Sequence, residues 1–164
     1  MNWIKWMPLA LLLTACGVYN FKGSNIPTEV ETFSVAMFSN EAQIINPKLS
    51  LDFTEKLKTK FQSETKLGLV NENGHWQFSG AIREYKIEPA IIDQTTAAAQ
   101  NQFTITVKVN FENTVDETKN FTRDFSFFRT YDATKDFSSV ENDLSSEICD
   151  NIVQQIFAAT ALEW

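Results

Sequence analysis

Apolar and polar residues alternate most regularly between Phe103 and Glu112. Phe103, Ile105, Val107, Val109 and Phe111 share one parity; Thr104, Thr106, Lys108, Asn110 and Glu112 share the other. A period of two predicts a strand with one buried and one wet face, as antiparallel sheets allow. Val30 to Phe38 reads as an earlier strand, with Phe33, Val35 and Met37 alternating against Ser34 and Ala36. The pattern then changes. Leu49, Phe53, Leu57 and Phe61 recur every four residues and make one apolar stripe of a helix. Asn46 suits the N-cap and Pro47 the first helical position. Asp52 and Glu55 fall early, and Lys56, Lys58, Lys60 and Lys66 late, which is the order that complements a helix dipole. The helix is expected to end near Thr65.

Leu67 to Val70 reads as a short strand, and Asn73-Gly74 is a hairpin signal because both residues tolerate positive φ. In the next strand Trp76, Phe78, Gly80 and Ile82 lie on one parity, but Tyr85, Ile87 and Ile91 lie on the other. Both sets can face one core only if the strand gains a residue, so a bulge is predicted near Arg83-Glu84. Pro89 belongs at a strand end or an edge. Residues 93–102 are small and polar and read as a loop tip, with a short helical turn through Ala97, Ala98 and Ala99 as the alternative. A turn around Asp116 to Lys119 leads into a Phe-rich strand from Phe121 to Tyr131. There Phe127 and Phe128 point to opposite faces, and Arg123 shares parity with the apolar set, which hints at an edge. Ser138 and Glu141 match a capping box. Val140, Leu144, Ile148, Ile152 and Ile156 form the stripe of the helix that follows, widened by Cys149, Val153 and Phe157. The order predicts an α+β fold: an antiparallel or mixed β-sheet of about four strands, with two α-helices packed on one face.

Ahead of these elements, a short apolar run closes on Leu13-Thr14-Ala15-Cys16-Gly17. Such a run with small residues at its end is a secretory signal. A cysteine directly after them points to a bacterial lipoprotein, acylated on the Cys16 thiol and cut before it. A membrane-spanning helix needs about 20 apolar residues, and this run is half that with Pro8 inside it. A disulfide from Cys16 to Cys149 is open to an exported protein, although Cys149 falls on the core stripe of the last helix. The expected organisation is a signal peptide over residues 1–15, a lipidated N-terminus and tether over 16–28, and one domain over 29–164. Removal of the signal leaves about 150 residues, enough for a core without covalent staples.

The formal charge of −7 and the absence of any basic run argue against nucleic acid and against a polybasic membrane patch. His75 is the only histidine and reads as an exposed turn residue, so a histidine-based metal site or triad has no partners. With five glycines there is no phosphate-cradling loop. No cofactor and no enzymatic activity are expected. Asn120-Phe121-Thr122 matches a glycosylation sequon by chance.

Taken in order, these segments resemble the LptE-like lipopolysaccharide-assembly lipoproteins, in the style found in Bacteroidetes-type bacteria. The resemblance rests on Cys16-Gly17-Val18-Tyr19-Asn20-Phe21, Ile26-Pro27, Leu51-Asp52-Phe53-Thr54, Leu67-Gly68-Leu69-Val70, Phe78-Ser79-Gly80, the Phe103-to-Val109 strand and the final helix. It implies an outer-membrane lipoprotein that plugs a β-barrel lipopolysaccharide translocon, assists assembly of that barrel and supports lipopolysaccharide insertion. Its implied partners are the barrel subunit, lipopolysaccharide, and the membrane through Cys16. Gly17 replaces the acidic residue that retains many enterobacterial lipoproteins in the inner membrane, which by analogy places the chain on the periplasmic side of the outer membrane or in the barrel lumen. Arg83 and Lys108 lie on outward positions of neighbouring strands and are candidates to grip lipid phosphates. The alternative is an envelope lipoprotein that scaffolds or activates another periplasmic partner.

Overall fold

The computed structural model describes residues 26–44, 46–90 and 99–162. Among these residues six strands form one mixed sheet: β1 (Thr32–Val35), β2 (Ser39–Asn40), β3 (Gly68–Leu69), β4 (Trp76–Pro89), β5 (Gln100–Asn113) and β6 (Phe121–Asp132). Their order is β3-β1-β4-β5-β6, with β2 also paired to β4. Two helices, α1 (Pro47–Glu64) and α2 (Glu141–Phe157), cover one face. The α+β class is as expected, with more strands than the four anticipated.

β5 carries the alternation into the fold. Phe103, Ile105, Val107, Val109 and Phe111 are all buried. On β4 the ladder with β5 slips between Ile82 and Glu84, where the bulge was expected. The extra residue turns Tyr85 back to the core side occupied by Phe78 and Ile82. Two helix residues then lock the layers. Phe61 of α1 packs against Phe33, Trp76, Phe78 and Phe157, with ring centroids 4.8–6.2 Å apart. Glu141 of α2 accepts hydrogen bonds from the Tyr85 hydroxyl at 2.5 Å and from Asn46 Nδ2 at 2.9 Å. It thereby ties β4 to the first turns of both helices.

Gly80 is required by close approach. Its φ is +158°, and an added Cβ would lie 2.0 Å from the Lys108 carbonyl oxygen and 2.8 Å from Phe38 Cε1. The crowding comes first from the β5 backbone at Lys108, the antiparallel neighbour, and then from the Phe38 ring.

Several local expectations are corrected. Asn73 does take a positive φ of 57°, but Asn73-Gly74 does not turn a hairpin. β3 and β4 flank β1, both parallel to it, and α1 supplies the long crossover that joins β1 to β3. The segment after β3 crosses β1 on the face away from the helices. There the Gly74 amide donates to Ser34 Oγ and the His75 amide to Thr32 Oγ1. An added Cβ on Gly74 would lie 2.6 Å from the β1 backbone. The crossing buries Ser34 on the side where a wet residue was expected.

The first strand is also interrupted. Val35 pairs with Phe78 but Ser39 pairs with Ala81, so one extra residue lies between β1 and β2. Phe38 becomes the buried residue and Met37 is left 59% exposed. The first turn of α1 has no acidic residue and its last turn no basic one. Its charges pair along the helix instead, as Lys48–Asp52, Lys58–Glu55 and Lys60–Glu64. Asn46 caps α1 as expected, accepting from the Lys48 amide, and Thr65 closes it. The capping box at Ser138 does not form. Asp136 caps a 3-10 turn at Phe137–Ser139, and α2 continues from it with no side-chain cap at Val140. β5 starts at Gln100 rather than Phe103, and Ala99 accepts from the Ala133 amide next to it. The rest of the expected loop tip, with Ile91, Ala97 and Ala98, lies outside the described residues.

Gly80→Ala is expected to cost at least about 2 kcal/mol, read as a lower urea midpoint at unchanged m-value. Burial, reinforced by the hydrogen bond to Glu141, pushes the Tyr85 hydroxyl from its ordinary 10.0 up to about 12. Folding therefore favours the neutral phenol. This contribution is complete below pH 10 and is lost as pH rises towards 12. Thermal melts between pH 10 and 12 should fall less steeply for Tyr85→Phe than for the unaltered protein.

Candidate functional site

With both helices on one side, the other face of β4, β5 and β6 is left uncovered. The same alternation that sends Phe and Val inward sends hydroxyl, amide and charged side chains outward here. On β5 these are Thr104, Thr106, Lys108, Asn110 and Glu112; on β6, Thr122, Asp124, Ser126, Phe128 and Thr130. Hydrogen bonds run across the strands. Thr106 Oγ1 donates to Glu84 at 2.7 Å and lies 2.9 Å from Ser126 Oγ. Thr106 has one hydroxyl hydrogen and gives it to Glu84, so Ser126 is the donor to Thr106. Thr122 donates to Asn110 at 2.9 Å.

Both faces carry ion pairs and unpaired carboxylates. Around the helices the pairs are Lys48–Asp52, Lys56–Asp150, Lys58–Glu55, Lys60–Glu64 and Arg129–Glu147, while Glu141 and Asp143 of α2 have no ion pair among the described residues. The groove of about 630 Å³ between α1 and α2 is lined by the Lys56–Asp150 pair and by Asp52, Glu55 and Lys60. On the open sheet face Lys86 pairs with Glu88 at 2.7 Å. Glu84, Glu112 and Asp124 have no ion pair among the described residues, and Lys108 is the one further cation at the outward positions of these ladders. Asp132, at the far end, accepts from the Thr134 amide and hydroxyl, which holds its carboxyl below the usual range. Phe128 stands 51% exposed on this otherwise polar face. It is the aromatic residue left over by the Phe127-Phe128 pair.

Arg83 and Lys108 are not brought together. Arg83 sits in the bulge and reaches sideways to Glu41, on the β2 side of β4. Lys108 is exposed on the β5 side, opposite Asp124. They form no common grip, because the bulge that sequence parity revealed also redirects the arginine.

His75 is half-buried rather than exposed, and its Nδ1 accepts from the Glu31 amide at 2.9 Å, a structural use. Cys149 is a free, buried thiol, and burial pushes its pKa up to about 12. Asn120, the first residue of the sequon, is occupied as an acceptor for the Asn113 amide. Arg123 lies on an edge strand, as its parity suggested, with its guanidinium over Phe121 and Phe125 at 5.2 and 5.9 Å. Among the described residues no three His, Cys, Asp or Glu side chains group to hold a metal ion. None of the described helices is long and apolar enough to cross a membrane. Cys16 and residues 1–15 lie outside the described residues.

Comparison with solved structures finds the same fold in bacterial proteins of low identity. A minor lipoprotein from Acinetobacter baumannii is 17% identical, with a TM-score of 0.50, over 78% of this chain and 90% of that one. A neuraminyllactose-binding hemagglutinin homolog from Helicobacter pylori is 10% identical, with a TM-score of 0.53, over 87% and 89%. A protein from Xanthomonas campestris is 11% identical, with a TM-score of 0.52, over 79% and 85%. No curated protein matches this chain. The family model of LptE, described as lipopolysaccharide-assembly, matches residues 30–160. That match spans the whole sheet and both helices, and the chain belongs to the LptE lipopolysaccharide-assembly family.

Proposed function

We propose that this chain is a lipid-anchored, non-enzymatic component of the outer-membrane lipopolysaccharide translocon, seated in the lumen of its β-barrel and assisting the assembly of that barrel. The observation that carries this reading is the open face of β4, β5 and β6: a broad hydroxyl- and amide-rich surface opposite a closed aromatic core. A water-filled barrel lumen presents polar side chains, and such a face, with Phe128 its one largely exposed aromatic, can lie against it with its polar groups matched. Family membership supplies the link to lipopolysaccharide assembly.

The anchor belongs to the same proposal. Residues 1–15 act as the signal, Cys16 carries the acyl chains, and residues 16–28 tether the body at 29–164. Two or more acyl chains, at about 0.8 kcal/mol per buried methylene, hold such a domain stably at a membrane. The periplasmic side of the outer membrane or the barrel lumen is the address this gives. A tagged chain extracted gently from the native outer membrane should recover a large β-barrel. Recovery of monomer alone would remove the translocon reading.

Cys16→Ser should move the protein out of the membrane fraction. Mass spectrometry of the unaltered N-terminal peptide should show acyl mass on the cysteine, and a bare thiol would remove the anchor. Because Arg83 is held by Glu41 and Lys108 faces Asp124, Lys108→Glu should leave lipopolysaccharide binding within about twofold. A larger loss would restore these two cations as a phosphate grip.

A further inference from the structure

We infer that β6 pairs with β6 of a second copy of this chain, antiparallel and about a two-fold axis at Phe127, so that two sheets join into one. This concerns the chain outside the barrel and goes beyond the translocon reading. The sheet ends on β3 at one edge and on β6 at the other. β3 has 2 residues, too few to template a strand, whereas β6 has 12. β6 keeps one unbroken register with β5 from Phe121 to Asp132, and it contains no Pro, Gly or Lys. Among the described residues no strand pairs with its outer side. In an antiparallel ladder every second residue turns both its amide and its carbonyl away from the partner, so β6 presents a row of backbone donors and acceptors along its length. Proteins blunt such an edge with short strands, proline, bulges or lysine, and β6 has none of these. Its two arginines stand on the helix side of the strand and lie over its own rings. Arg123 is over Phe121 and Phe125 at 5.2 and 5.9 Å, and Arg129 is over Phe127 at 4.4 Å, with its Nε donating to Glu147 at 2.5 Å.

The strand supplies its own complement. Side chains directly opposite one another share a face of the sheet, and faces alternate along each copy, so only residues of like parity can meet. The register centred on Phe127 sets Arg123 opposite Tyr131, Phe125 opposite Arg129, Asp124 opposite Thr130 and Ser126 opposite Phe128. No like charges meet, and each arginine faces an aromatic ring, the kind of contact it already makes within the strand. Moving the centre by one residue spoils the match. Centring on Ser126 sets Arg123 opposite Arg129, and centring on Phe128 sets Asp124 opposite Asp132. Like charges directly opposite are destabilising. A two-fold pair uses the same patch on both subunits, which is how most homodimers close. The partner's charges are therefore known, because they are this strand's own.

The test uses the purified full chain, free of barrel, in detergent. Asp124 and Thr130 are both exposed. Asp124→Cys/Thr130→Cys brings thiols opposite each other between copies, with Cβ atoms about 5 Å apart, and a bis-thiol reagent of that span should give a product of twice the chain mass. Either cysteine alone stands far along the strand from its own copy and should give about tenfold less. Thr130→Asp sets a carboxylate opposite Asp124 of the other copy and should raise the dimer dissociation constant about tenfold, whereas Thr130→Lys should lower it. Both are read by sedimentation equilibrium in density-matched detergent, and thermal melts of the variants separate pairing from folding. Absence of the doubled product, or equal product from the single cysteines, overturns the inference. A shift of Thr130→Asp and Thr130→Lys in the same direction overturns it as well. Barrel recovery by the tagged chain is read separately, so the translocon reading stands or falls on its own.

Discussion

Phe61 is the constraint on which the arrangement turns. Its ring touches β1 through Phe33, β4 through Trp76 and Phe78, and α2 through Phe157. Aromatic pairs of this kind bury large areas and prefer tilted or edge contacts. A single side chain thus fixes the distance of α1 from the sheet and of α2 from α1. Every other large buried residue of β4 and β5 points to the same side, so both helices must lie there. Across β4, β5 and β6 the opposite face is bare, and only at β1 does the connection through Gly74 and His75 cover it.

The parts of the fold that were legible in sequence are those set by parity. Five apolar residues of β5 announce one core face, and the phase change after Ile82 announces the slipped ladder before any coordinate is seen. The stripes of α1 and α2 are equally plain. What could not be read is where a strand goes after a turn. Asn73-Gly74 reports a left-handed backbone, but the direction taken next depends on α1, which carries the chain past β1 and makes β3 a parallel neighbour. Met37 and Phe38 exchange roles for a similar reason. The extra residue between β1 and β2 follows from pairing with β4, and a period of two cannot foresee a partner's register.

The candidate surface was half legible. Alternation identifies which side chains of β5 leave the core. It does not say that nothing covers them, because helix placement is a tertiary fact. Arg83 shows the limit most clearly: its outward position was visible, but its attachment to Glu41 spans 42 positions of sequence. The Tyr85–Glu141–Asn46 cluster was missed for the opposite reason. Glu141 looked like a local capping residue, and its distant partners outcompeted the nearby serine.

The slip between Ile82 and Glu84 has a bearing on how this chain can change in length. It joins two halves of β4 whose apolar residues fall on opposite sequence parities, and the one surplus residue brings both to the same core. Loss of Arg83 would remove the surplus, leave Glu84 alone opposite Thr106 and keep Tyr85 opposite Ile105, so the ladder would run unbroken with both halves still turned inward. What such a deletion would remove is the tie to Glu41. A shortening by one residue is therefore accommodated by this strand at its bulge, where a spare position already exists.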